Sequence, residues 1–145
     1  MYQGLLHLHN LLRWIILILL LLSILQSFQK KHQLVKTSLW LMIATHITLL
    51  VGIYQWLNGE LGLSLIEKNG MGQVMKDPVF RFWAIEHLTA MLIAIVLITI
   101  SRGFAKEGRY RTTSWLYVIS LLLIIVSIPW PFRADGLARP WFPGM

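Results

Sequence analysis

Apolar residues fill four long stretches, at about 4–27, 38–57, 80–101 and 113–131, and most charged residues collect between them. Each stretch is near the ~20 residues a helix needs to cross ~30 Å of hydrocarbon. The pattern therefore predicts an all-α protein: a four-transmembrane-helix bundle, up-down-up-down, forming a single membrane domain over residues 1–145 with an outer loop at 58–79. The first stretch contains WIILILLLLSIL, which has the look of a secretory core. No basic residue precedes it, no small-residue cleavage site follows, and Lys30-Lys31 comes after, so it is expected to stay in the mature protein.

Composition narrows the classes. Of 145 residues 57% are hydrophobic and 13% charged, with mean hydropathy +0.65, which speaks against a soluble domain with a polar coat. The formal charge of +7 does not point to nucleic acid, because that needs Lys and Arg clustered on one exposed face. Here the cations sit between apolar runs, where they set orientation instead. Lys30, Lys31 and Lys36 follow the first stretch, and Arg102, Lys106, Arg109 and Arg111 follow the third. The opposite side carries Lys68, Lys76, Arg81, Arg133 and Arg139, diluted by Glu60, Glu67, Asp77 and Asp135. Both basic loops are expected in the cytoplasm and both termini outside.

The connection NGELGLSLIEKNGMGQVMKDP is rich in glycine and holds a short amphipathic piece, LGLSLIEK, expected to lie along the outer interface and able to cap whatever the outer leaflet contains. Asp77-Pro78 reads as an N-cap followed by proline at the first helical position. The fourth helix should end at IPWPF, where Pro129 and Pro131 remove backbone donors.

Ionisable groups inside a membrane segment are expensive and need a partner, a hydrated cavity or a ligand. The stretch LLHLHNLLRW places His7, His9, Asn10 and Arg13 at the start of the first span. At a rise of 1.5 Å per residue, His7 lies about 5 Å in, His9 about 8 Å, Glu86 and His87 about 10 Å, Arg13 about 14 Å and His46 about 17 Å. All fall in the outer half or near the middle, and they come from three helices. His32, beside Lys30 and Lys31, reads as a solvated loop residue.

With no cysteine, disulfides, thiolate metal sites and covalently attached haem are excluded, leaving histidine as the strong nitrogen ligand. Two axial imidazoles from different helices can hold haem iron if they lie at similar depth with a slot between them. His87 meets that condition with His9 or His7, while His46 requires tilted helices or a second centre. His7 and His9 point about 200° apart, so only one faces the pocket. Arg13, Arg81 and Arg133 suit propionate carboxylates, or else anchor at headgroups. Glu86, in RFWAIEH, is the candidate proton carrier to or from a bound quinone or metal; the alternative is a buried ion pair with Arg13 that fixes helix packing. A copper or iron ion without porphyrin, held by His9, His46 and His87, draws on the same residues. Hydrogen bonding between helices is the plainer role open to each histidine.

LLHLHNLLRW, THITLLVG around His46, RFWAIEH and the closing IPWPF together resemble a family of short four-helix bacterial membrane proteins commonly labelled cytochrome b. The resemblance covers nearly the whole chain. It implies b-type haem and electron transfer in the bacterial inner membrane, with His7, His9, His46 and His87 as the histidine set and Arg13, Arg81 and Glu86 beside them. The expected function is electron transfer between a quinol-like donor and a partner at the outer face. Alternatives are a non-catalytic small subunit or scaffold of a larger membrane complex, such as a respiratory one, or a porphyrin-free metal site; a homo-oligomer is also open.

Overall fold

The computed structural model describes residues 1–144. Among them there are helices and turns but no strand. α1 spans Tyr2–Phe28, α2 Leu34–Asn58, α3 Leu63–Asn69, α4 Met71–Lys76, α5 Pro78–Arg81, α6 His87–Lys106 and α7 Tyr110–Ser127, with a π-helical turn over Phe82–Glu86 joining α5 to α6. Four segments are long and apolar enough to cross a membrane: Tyr2–Phe28, Leu34–Asn69, Pro78–Lys106 and Tyr110–Ser127. α1 packs on α2 and α7, and α6 packs on the same two helices, closing a ring of four.

The interior and exterior of this ring invert the usual polarity. Leu20, Leu34, Leu41, Ile98 and Tyr117 are fully buried, and they share the core with Ser23, Ser38, Ser101 and Ser120. Small hydroxyl residues let helix backbones approach closely, and their oxygens are mostly absorbed by the preceding turn, as Ser101 to Leu97 O at 2.6 Å and Ser120 to Leu116 O at 2.8 Å. Ser114 Oγ also donates to Ser27 Oγ at 2.8 Å, tying α7 to α1. Outside, Ile18 on α1, Leu50 on α2, Val96 on α6 and Val126 on α7 are each more than half exposed. Apolar surface of this extent on all four helices is compatible with contact to a lipid bilayer.

Helix ends follow local chemistry. α1 and α6 both close with paired bonds that satisfy their last carbonyls: Lys30 N–H to Ser27 O and Lys31 N–H to Gln26 O, then Gly108 N–H to Ala105 O and Arg109 N–H to Phe104 O. Each closure needs a left-handed residue, supplied by Gly108 at φ 74° and, against preference, by Lys30 at φ 53°. Asp77 caps α5 through Oδ1, accepting from Val79 N–H at 2.9 Å and Phe80 N–H at 3.1 Å, with Pro78 at the first helical position as expected. α7 stops at Ser127, four residues before the expected 131, because Ile128 precedes Pro129 and adopts ψ 131°; the residue before a proline is driven out of the helical region. The amphipathic piece of the 58–79 connection is helical as α3, and α3 and α4 pack beneath the start of the third long segment.

Candidate functional site

The site grows from two interruptions in the helices. At Phe82–Glu86 the backbone opens into a π turn, and the His87 N–H bonds to Phe82 O. Such turns insert an extra residue and re-aim the side chains that follow. Here the His87 ring sits 5.8 Å from Phe82 and 6.2 Å from Trp83, centroid to centroid.

The second interruption is the end of α7. Pro129 and Pro131 have no N–H to return to Ile125 O and Ser127 O, so these carbonyls are served by side chains. The Trp130 indole donates to Ile125 O at 2.8 Å, the Arg133 guanidinium to Val126 O at 3.0 Å, and His87 Nδ1 lies 2.8 Å from Ser127 O. A carbonyl can only accept, so Nδ1 carries the proton, and in the neutral ring Nε2 keeps its lone pair.

His9, from α1, faces His87 with ring centroids 6.5 Å apart and planes tilted by 50°. Behind it stands Gly52 of α2, where an added Cβ would be in ordinary van der Waals contact with His9 Cε1 at 3.5 Å.

Residues 128–144 fold back over this end. Trp141 O accepts from Asn10 Nδ2 at 2.9 Å and from Arg13 Nη2 at 2.8 Å. The Arg13 guanidinium also lies over the faces of Trp14 (5.1 Å) and Trp130 (6.0 Å). Trp14 in turn meets Trp130, Trp141 and Phe142 at 6.0–6.3 Å. Arg133 and Arg139 rest over Phe82 and Trp83, at 5.2 and 5.1 Å. An aromatic and guanidinium cap thus joins the tail to α1 and to the π turn. Outside the spans, hydrogen bonds from Arg133 hold the Asp135 carboxyl below the usual carboxylate range.

Polar atoms at this end are left without partners among the described residues: His9 Nδ1, Asn10 Oδ1, Arg13 Nε, Trp14 Nε1, Gln55 Nε2 and Trp83 Nε1 are all buried and unpaired.

The structure sorts the residues singled out from the sequence. His9 and His87 come together, with Arg13 above them. His7 is exposed on the outer side of α1. His46 is also exposed, and its Nδ1 is 2.8 Å from Met42 O of its own helix, so it stands apart from the other two. No group of three or more His, Cys, Asp or Glu side chains suited to a metal ion forms among the described residues; the set His9, His46 and His87 does not assemble. Glu86 pairs with Arg81 Nε at 2.6 Å rather than with Arg13, and Arg81 also donates to Met75 O at 2.9 Å. The Arg13–Glu86 pair weighed from depth alone is replaced because the π turn puts Glu86 on the exposed side, next to a cation five residues back. Gly52, Ser127, Phe82 and Trp141 were not foreseen. A glycine within a span is a sequence signal for Gly52, whereas the reach of Trp141 back to Asn10 has no local signature.

Comparison of the chain with protein-family models, with curated proteins and with solved structures finds no match.

Proposed function

We propose that this chain is a b-type cytochrome of the bacterial cytoplasmic membrane, its four spans running up-down-up-down with both termini outside, and that His9 and His87 would hold one haem. The carrying observation is the pairing of these two rings from separate helices at 6.5 Å. Imidazoles from two helices at this separation could both reach one metal ion, at metal–nitrogen distances of about 2.0–2.1 Å. Haem b is held by one or two protein ligands, whereas a bare copper, iron or zinc ion takes three or four, and a third donor does not converge here among the described residues. The donor set therefore favours haem over the porphyrin-free site.

The surroundings fit such a group. The Ser127 carbonyl fixes the His87 tautomer so that Nε2 is the ligating atom. His9 has the freedom to adjust, since its Nδ1 has no protein partner. Six buried polar atoms lacking partners among the described residues would each cost about 1–3 kcal/mol if left dry; water relieves this, as does an acceptor-bearing ligand for the N–H donors among them. Arg13 and the indole N–H groups of Trp14 and Trp83 suit carboxylate or carbonyl oxygens, as propionates or a quinone head would present.

Bound there, the haem would supply one-electron exchange between a quinol-like donor and a partner at the outer face. Glu86, exposed beside His87 and paired with Arg81, would take up one of the two protons released as a quinol gives up its two electrons singly.

The test is purification in mild detergent after expression with haem supplied, followed by a reduced-minus-oxidised spectrum and pyridine haemochrome analysis. A b-type alpha band that disappears in His9→Leu and His87→Leu is expected. Absence of any such band in the intact protein ends this reading, and copurification with a large complex would favour the subunit alternative.

A further inference from the structure

The end of the bundle opposite the histidine pair carries a second constellation. A groove of about 560 Å³ opens there, lined by His32, Gln33, Val35, Lys36 and Leu39 of the α1–α2 turn and α2, and by Arg102 of α6. Loop cations on this side are accounted for by the charge bias that orients membrane proteins. Arg102 is different: it lies a full turn inside α6, half-buried, with Nη1 donating to Val35 O at 2.8 Å and Ser38 Oγ at 3.0 Å.

Those two bonds fix the guanidinium against α2 and leave the rest of its fork for a ligand. Lys36 and His32 stand on the same groove, while Val35 and Leu39, one turn apart, give it an apolar wall. The turns at this end of the bundle are strongly cationic: they carry Lys30, Lys31, Lys106, Arg109 and Arg111 against one carboxylate, Glu107, which lies 3.8 Å from Arg109.

We propose that this groove binds the headgroup of an anionic phospholipid of the cytoplasmic leaflet, its phosphodiester on Arg102 and Lys36 and the start of an acyl chain along Val35 and Leu39. Cationic side chains joined to an apolar wall match a phospholipid better than a free anion, which would gain nothing from the wall. The proposal rests on the membrane reading above and is independent of the haem.

The experiment reconstitutes the full chain into phosphatidylcholine bilayer discs and measures, by electron spin resonance, the motionally restricted fraction of spin-labelled phosphatidylglycerol against that of spin-labelled phosphatidylcholine. Phosphatidylglycerol should associate several-fold more strongly, and Lys36→Gln or Arg102→Gln should each remove about fivefold of that preference. Arg109→Gln should leave most of it. Because Arg102 also braces α2, Lys36→Gln, which has no such role, keeps the test valid if Arg102→Gln misfolds. Equal association of the two lipids, a preference that follows Arg109 but not Lys36, or displacement of the labelled lipid by millimolar inorganic phosphate would each overturn the proposal. The haem spectrum is recorded on the same discs. Lipid preference without haem removes the redox reading alone, haem without preference removes this site alone, and failure to enter the bilayer sinks both.

Discussion

His87 on α6 is oriented by the backbone carbonyl of Ser127, 2.8 Å away at the last residue of α7. The carbonyl is available because the residue that would have claimed it in a continuing helix is Pro131, which has no N–H. Because Pro129 already drives Ile128 out of the helix, replacing Pro129 and Pro131 together by Ala is what restores a competing donor. Haem affinity is expected to fall by roughly 10–100-fold, the usual cost of losing the group that orients a metal-binding imidazole. Ser127→Ala should leave it unchanged, since the bond uses the main chain. Haem titration of the purified variants distinguishes the two.

His46→Leu and His7→Leu should leave the spectrum of the protein unaltered and change stability by no more than about 0.5 kcal/mol, as expected of exposed positions. Both residues are exposed, and the His46 ring is occupied by its own helix. Loss of the alpha band in His46→Leu would mean that the ligand pair has been misassigned.

The tail is held chiefly by the convergence of Asn10 and Arg13 on Trp141 O. Arg13→Gln removes a charged hydrogen bond, worth about 1.5–3 kcal/mol, together with the cation–aromatic contacts. Limited trypsin digestion should then cut after Arg133, the cleavable site of the tail since Arg139 precedes Pro140, markedly faster than in the parent. Asn10→Ala should have a smaller effect, because Arg13 still serves the same oxygen.

Two equivalent helix ends make a matched pair of stability tests. Lys30 holds a left-handed conformation that costs an L-residue about 1–2 kcal/mol, so Lys30→Gly should stabilise by about 0.5–1 kcal/mol after the added chain entropy of glycine. Gly108→Ala should destabilise by about 1 kcal/mol, and purely through the backbone, since nothing lies within 4 Å of the added Cβ. Thermal unfolding in detergent measures both.

Asp135 supplies the pH dependence of the tail. Hydrogen bonds from Arg133, one of them 2.9 Å, hold its pKa below the ordinary value. A lowered folded-state pKa means that the contribution is fully present above the unfolded value of about 3.9 and fades as pH drops through the folded one. Protection of the tail from proteolysis or fluorescence quenching should therefore be flat from pH 8 to 5 and decline below about 4, and Asp135→Asn should abolish that decline.

Much of this architecture is written locally. Four apolar runs of spanning length, the Asp77-Pro78 start, the basic character of the 28–36 and 102–111 turns and the similar depth of His9 and His87 all follow from composition, periodicity and rise per residue. They depend on near neighbours in the chain, which is why they could be read without coordinates.

Facing and pairing are another matter. Rotating α1 by about half a turn would exchange His9 for His7, and only packing against α2, α6 and α7 selects which ring points inward. The π turn shifts the register around Glu86, so that its partner is Arg81 and not Arg13, which lies within a few ångströms of the same depth. The reach of Trp141 to Asn10 spans 131 positions, and a contact of that range leaves no periodic trace. The amino-acid sequence by itself determined how many long apolar helical segments there are, about where each lies and which end carries the charge. The tertiary structure decided which two histidines meet and what covers them, because side-chain direction depends on how helices rotate against one another, a property of the assembled bundle rather than of any single segment.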